Sequence, residues 1–577
     1  MNTSSCNKLD FFFFHVVFFD LFFFAYPTQY VSNNNQTHRI LNQSHFFKNK
    51  KTQINFFLLF ELSLSLSLSS LSSDPIKISL FDERVIQNKT ERQYRSGVSY
   101  RNERRYLGGV SIPFSTIYVN ETIHGALPLS KPPITLGYRV KGQLYEGEDI
   151  SPLEERSRCD TLLRCVVSVD PPLVSFTGQS QLNILKASGE STAIRSAATK
   201  FYKSLSTQIQ EGNIQLCASD MNARSVLVSR FLFPQAPPPE ILTSAAMPES
   251  DAIQSMVRYV SLIPFMDDWS TFGGENNDVW CTSKEFLELG CGDWEEHAIL
   301  LCNFFNYYDQ LKRTGYESYI VLGRGLPEGD TVYTLRMDPS RGSVGSEVTL
   351  WNASTGRGYT AKDKHCPLIS IDQIVNSENI WINKQQPSSS PYQMTFDLDD
   401  LKSFRPFFTI KHPKPDTINS VNQMDIVHVP PNARLMEDME RELQETLKNE
   451  FKAWRQENEK GMKTYTRFDQ NVSMALKPLL ESFEAAKLKM DGFSEDTHRD
   501  LWSNHSRLTT LAATKHIHGV PINVAFTDLK ELSLTLKSTH VHENENENVR
   551  FALAVKVFAY SNNIFSVWVY AISIENR

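Results

Sequence analysis

The stretch Gly292-Asp293-Trp294-Glu295-Glu296-His297-Ala298 constrains this chain more than any other. An Asp followed three residues later by Glu, just ahead of an apolar run, is a capping box. Each side chain satisfies an orphan backbone N–H at the start of a helix. The run Ile299 to Phe305 continues that helix with apolar residues, so the helix is expected to be buried. Strand-like runs follow around 319–322, 332–336 and 348–351. A buried helix followed by short strands predicts a mixed α+β core.

The first helical position, Trp294, lies beside unpaired N–H groups and the positive end of the helix dipole. A thiol placed there is pulled below its ordinary pKa of about 8.5 and becomes a nucleophile. Cysteine proteases and transglutaminases use that position in this way. An indole cannot be deprotonated or form a thioester, and it fills space that a substrate carbonyl needs. Cys291 lies three residues earlier and is the alternative nucleophile, although its register puts it before the cap. Cys302 falls inside the apolar run and reads as a core thiol, while His297 reads as a packing or hydrogen-bonding residue. His365, Cys366 and Cys281 lack the paired spacing of a zinc site, so no metal or other cofactor is expected.

The rest of the chain divides by composition. Residues 1–73 hold 14 of the 37 Phe and a strict Ser–Leu alternation from Ser63 to Ser69, which sets this leader apart from residues 74–577. It reads as a translated nucleotide repeat, spurious or disordered, rather than as a domain. Its apolar stretch from Phe11 to Tyr26 is shorter than the roughly 20 residues of a membrane span. Residues 74–145 carry Pro- and Gly-punctuated β runs, about half of a β-sandwich. Residues 146–245 read as a connecting α/β segment that ends in the linker Pro234–Pro239. The capped helix lies in a domain over 246–400. Within 401–577, Leu435, Met439, Leu443, Leu447, Phe451 and Trp454 step by three or four, which predicts an amphipathic helix. A second helix is expected near 472–489, and a hairpin around Ser561-Asn562-Asn563 closes the chain.

The order Gly-Asp-x-x-x-His-Ala resembles the transglutaminase-like (papain-like) cysteine peptidase fold. In that fold a Cys occupies the position of Trp294, and later strands carry a His and an acidic residue. The matching segments here are Thr331-Val332-Tyr333 and Leu350-Trp351-Asn352. The resemblance therefore places Trp294, Thr331 and Asn352 at the nucleophile, base and orienter positions. Thr is no general base at neutral pH, and Asn has no His to orient. No catalytic residue is expected.

A wider resemblance is carried by VSLIPF (Val260–Phe265), DVWCTSKEFL (Asp278–Leu287), GDWEEHAILLCNFF (Gly292–Phe305), LPEGDTVY (Leu326–Tyr333) and LWNASTGRGY (Leu350–Tyr359). Leu107–Tyr138, Cys366–Gln385 and Ser566–Arg577 extend it. Together they are similar to the coiled-coil and C2 domain-containing family of the ciliary transition zone. That resemblance implies a partial C2 β-sandwich, a degenerate transglutaminase-like domain and a C-terminal α+β domain. It also implies a non-enzymatic scaffold at the cilium base, working with B9-domain and tectonic proteins in cilium assembly. The family's N-terminal coiled coils and the first half of its C2 domain have no counterpart here.

Two other readings compete. One is an active cysteine peptidase or transglutaminase acting through Cys291. The other is a C2-type peripheral membrane protein whose Arg101, Arg104 and Arg105 touch anionic lipid, although a solvated basic face is the simpler expectation. Calcium binding needs several loop carboxylates, and Asp82-Glu83-Arg84 offers an Arg where another ligand belongs. The net charge of −7 gives the whole molecule no attraction for nucleic acid. Eight Cys in 577 residues are too few for a disulfide framework and suit a reducing, cytoplasmic compartment.

Overall fold

The computed structural model describes residues 12–22, 25–27, 59–64, 75–87, 100–113, 116, 122–133, 138–140, 153, 161–170, 189–205, 214–242, 247–268, 278–339, 348–385, 390–410, 412–416, 418–457, 466–490, 502, 505–544, 546 and 548–576. Phe- and Val-rich runs favour extended backbone. The leader accordingly holds strands β1 (Phe12–Phe22), β2 (Ala25–Pro27) and β3 (Leu59–Leu64). There follow β4 (Ile76–Gln87), β5 (Tyr100–Ile112), β6 (Thr122–Pro128), β7 (Tyr138–Val140) and β8 (Leu162–Asp170).

Strands β4 and β5 pair as a long hairpin, β3-β1-β8-β6 form one sheet, and β2 pairs with β7. Val110 and Ile112 of the hairpin share a core with Ile123, Leu127, Leu163 and Val167, so two sheets face each other as a sandwich. Three expectations are corrected by this arrangement. β1 runs antiparallel to β8, so part of the leader is sheet rather than disordered; the rest of 1–73 lies outside the described residues. The sandwich reaches Asp170 instead of stopping at 145, because β8 fills the sheet beside β6. Asp82 and Glu83 sit on β4, not on a loop.

The middle of the chain forms α1 (Thr192–Lys203), β9 (Cys217–Asp220), β10 (Ser225–Leu227), α2 (Pro239–Leu242) and α3 (Glu249–Ser261). Next come β11 (Val279–Trp280), α4 (Ser283–Leu289) and α5 (Trp294–Lys312). A seven-stranded antiparallel sheet completes this domain. Its strands are β12 (Glu317–Gly325), β13 (Gly329–Met337), β14 (Thr349–Asn352), β15 (Arg357–Thr360), β16 (Leu368–Val375), β17 (Ile380–Asn383) and β18 (Phe404–Pro406). The spatial order is β15-β14-β13-β12-β16-β17-β18. Helix α5 lies across β12 and β13, and its residues Ala298, Ile299 and Cys302 are fully buried.

The segment 146–245 is not a mere connector. Leu216, Leu227 and Phe231 share one core with Trp280, Ala298 and Cys302. Its Pro-rich stretch is packed as well. Gln235 is buried and donates its backbone N–H to the Asn303 carbonyl at 3.1 Å, and its side chain holds the carbonyls of Asn422 and Met424.

The last domain contains α6 (Ala433–Glu457), α7 (Gln470–Lys487), α8 (Ser506–Thr514), β19 (Lys515–Ala525), α9 (Leu529–Lys537), β20 (Arg550–Tyr560) and β21 (Ile564–Asn576). Side chains alternate across the sheet β19-β21-β20. Leu553, Val555 and Val557 meet α6 on one face, while Ala552, Ala554, Trp568 and Tyr570 meet α7 on the other. Leu435, expected in the α6 stripe, is 47% exposed, so the buried seam starts one turn later.

Candidate functional site

The start of α5 is built as the capping box requires. Asp293 accepts the Glu295 backbone N–H at 3.2 Å, and Glu296 Oε2 accepts the Asp293 N–H at 3.1 Å. The other Glu296 oxygen accepts the Cys281 N–H at 2.9 Å, which fixes the helix start to the strand before α4. Gly292 is needed for close approach, because a Cβ there would stand 2.8 Å from the Phe286 ring. Residues 264–266 bridge to Gly292, and this brings the Phe265 ring 4.3 Å from the Trp294 ring. Trp294 packs against the apolar cluster that contains Ala298, Ile299, Leu322 and Val332.

His297 is completely buried. Its Nδ1 lies 2.6 Å from the Asp293 carbonyl and its Nε2 lies 3.0 Å from the Ile263 carbonyl. Burial lowers its pKa and favours the neutral ring. Both ring nitrogens face backbone carbonyls, and the neutral ring has a single N–H to donate to one of them, so His297 is enclosed between α5 and the segment after α3.

Carboxyl groups crowd the same place. Oxygens of Asp268, Asp293 and Glu296 lie within 4.8 Å of one another. Burial, reinforced by neighbouring acidic groups, raises Asp268 to about 8 and pushes Asp293 and Glu296 well above the usual range. Burial also raises Glu295 to about 8. A hard cation such as calcium takes 6–8 oxygens, more than one from each of these three carboxyl groups. Those of Asp268, Asp293 and Glu296 already accept backbone N–H groups. The cluster caps the helix start, and ionised carboxylates there would oppose a neighbouring thiolate.

The structure does not bring Thr331 and Asn352 to Trp294. On β13, Val332, Thr334 and Arg336 face α5. Val332 shares the cluster around Ala298, Thr334 donates to the Ala298 carbonyl at 3.1 Å, and Arg336 pairs with Asp309 at 2.6 Å. Successive strand residues point to opposite faces. Tyr333, on the far face, donates to Glu328 at 3.3 Å, and Asn352 Nδ2 donates to Glu328 at 2.7 Å. Thr331 is buried, and its hydroxyl has no partner among the described residues. On β13 it is Val332, not Thr331, that belongs to the apolar cluster against which Trp294 packs. That one-residue register was readable from the alternation of Val332 and Thr334 with Tyr333 and Leu335. Phe265 and Asp268 carried no comparable sequence signal.

The other candidates are dispersed. Cys291 is half-buried, and burial raises its thiol rather than lowering it. Cys302 is buried beside Asn306, as expected of a core thiol. Among the described residues, Asp268, Asp293 and Glu296 are the group of potential metal ligands that converges; Cys281, His365 and Cys366 do not. Arg101 and Arg105 are neither solvated nor free for lipid. Arg101 pairs with Glu575 at 2.5 Å and Arg105 with Glu103 at 2.7 Å, all largely buried. No helix among the described residues is long and apolar enough to cross a membrane.

Comparison with known proteins places these elements. Residues 278–407 match the CEP76 peptidase-like domain family, and residues 433–574 match the family of the C-terminal domain of centrosomal protein of 76 kDa. Human protein CC2D2B is 27% identical over 515 residues, covering 88% of this chain and 33% of that protein. Coiled-coil and C2 domain-containing protein 2A of Drosophila melanogaster is 23% identical over 512 residues, covering 87% of this chain and 35% of that protein. Human centrosomal protein of 76 kDa is 23% identical over 347 residues, 55% of this chain and 48% of that protein. The chain thus spans about a third of the length of the first two relatives.

Proposed function

We infer that this chain is a member of the coiled-coil and C2 domain-containing family, and from that premise we propose that it is a non-enzymatic scaffold of the ciliary transition zone. Its peptidase-like domain serves as a binding body in cilium assembly, with transition-zone proteins of the B9-domain and tectonic type as partners. It works in the cytoplasm at the cilium base.

One observation carries the non-catalytic part. The helix position that would hold a nucleophile holds an indole, packed at a tilt against the Phe265 ring and against the apolar cluster that includes Val332. Loss of a nucleophile alone removes about 10⁶-fold of the rate in a well-studied protease. The centrosomal names of further relatives support the location. Expression of the tagged chain in ciliated cells tests it. Concentration at the cilium base, retained after Cys291→Ser, is expected. Diffuse signal, or function lost with that single thiol, would refute it.

A further inference from the structure

The central domain and the C-terminal domain meet across a buried ion pair that lies outside the start of α5. Arg258 on α3 and Glu484 on α7 are 226 residues apart and only 8% and 2% exposed. The guanidinium donates to both Glu484 oxygens, from Nε at 3.0 Å and from Nη2 at 2.8 Å. This is the planar two-bond geometry that only Arg supplies. The same Nη2 reaches Asn523 Oδ1 at 2.9 Å on β19 and Ser566 Oγ at 2.8 Å on β21.

Glu484 is saturated in turn. It accepts the Tyr560 hydroxyl at 2.5 Å, the Ser566 hydroxyl at 2.8 Å and the Trp568 indole N–H at 2.5 Å. Burial alone would raise its pKa, but the Arg258 charge and these donors hold it down at about 2. One arginine of the central domain therefore serves as the counter-ion for a carboxylate held by three side-chain donors of the other domain. Apolar contact continues around the pair, because Met490 and Ile564 are buried in one cluster with Met256, Tyr259 and Phe304. The Met490 N–H donates to Asp251 and the Ser561 N–H donates to Glu240.

We propose that Arg258 and Glu484 form a clamp that couples the peptidase-like and C-terminal domains into one cooperative body, so that partners meet a composite surface rather than two independent modules. Leaving either charge alone in this interior is strongly unfavourable, so the carboxylate network commits the C-terminal domain to the bound arrangement. The strap Asn422–Val429 reinforces it, running from the Gln235 side chain to a reciprocal pair of hydrogen bonds with Asn562. Arg258 lies outside both family-matched spans, whereas Glu484 lies inside the second. Cutting the chain at the matched boundaries would therefore strand the carboxylate. The clamp does not depend on where the protein works in the cell.

Hydrogen exchange at rising denaturant on the full chain reads this coupling. Leu553→Ala weakens the C-terminal core far from α5. The exchange midpoint of α5 amides is expected to fall in step with that of β20 and β21. An unchanged α5 midpoint would overturn the proposal. The same substitution in an Arg258→Met, Glu484→Gln background, which leaves no buried charge unpaired, is expected to lower the β20–β21 midpoint alone. Continued coupled movement would show that these two residues are not the clamp.

Discussion

At the first turn of α5, one packed indole and a set of reciprocal hydrogen bonds decide what the position can do. The field at a helix start favours an anion, but Asp293, Glu295 and Glu296 crowd that field, and burial leaves each of them with a raised pKa. Substituting Trp294→Cys therefore restores a thiol without restoring its environment. The introduced thiol is expected to titrate at or above the ordinary value of about 8.5, measured by the pH dependence of alkylation with iodoacetamide. No amide hydrolysis is expected, because the apolar cluster against which residue 294 packs supplies no base. Asp268 makes the second residue-scale prediction. Its folded pKa of about 8 lies above the ordinary 3.8, so the fold holds a proton that the unfolded chain releases. That contribution is complete below about pH 4 and is lost as pH rises through about 8. Asp268→Asn should flatten the stability profile between those limits and gain on the order of 1–3 kcal/mol at pH 8, read by denaturant titration.

Among the elements, helices with caps and stripes were legible, and so was the closing hairpin. Asp293 and Glu296 announce α5, and the apolar spacing of α6 places Leu443, Leu447 and Phe451 in the core, where all three are buried. Leu435 follows the same spacing, yet it precedes the sheet that covers the rest of the stripe. Leu447→Ala should cost about 2–5 kcal/mol, whereas Leu435→Ala should change stability by less than about 0.5, both measured by chemical denaturation. Strand β19 was not foreseen, because Gly519 and Pro521 interrupt its pattern; its partner β21 supplies the pairing that propensity does not. Thr331, expected at the base position, is hard to place from the sequence for a related reason. A short motif on a strand tolerates a one-residue slip, and that slip exchanges one face for the other.

At the scale of the whole molecule, the three parts are seated on one another by specific contacts. Leu326, at the turn between β12 and β13, fills the space over Gly125, where a Cβ would stand 2.3 Å from its Cδ1. Thr116 donates to the Glu328 carbonyl at 2.7 Å beside it. The sandwich also docks on the C-terminal sheet through Arg101, Glu103 and Arg105 of β5, which meet Glu575 and His516. Arg101→Met would leave Glu575 with the amides of Asn544 and Asn546 as its remaining partners among the described residues. A loss of about 3 kcal/mol is expected, with faster amide exchange along β5. None of this was visible in the sequence, where a run of arginines reads as a solvated or lipid-facing patch. Ion pairs between residues 474 positions apart leave no local signal.

The central proposal is that the peptidase-like domain is non-catalytic, with Trp294 at the helix start where a thiol would be needed. The most direct measurement treats the full chain at neutral pH with an electrophilic peptide probe for cysteine hydrolases and locates adducts by mass spectrometry. The account predicts that no cysteine reacts faster than an unactivated thiol. A stoichiometric adduct at Cys291, abolished by Cys291→Ser, would contradict it.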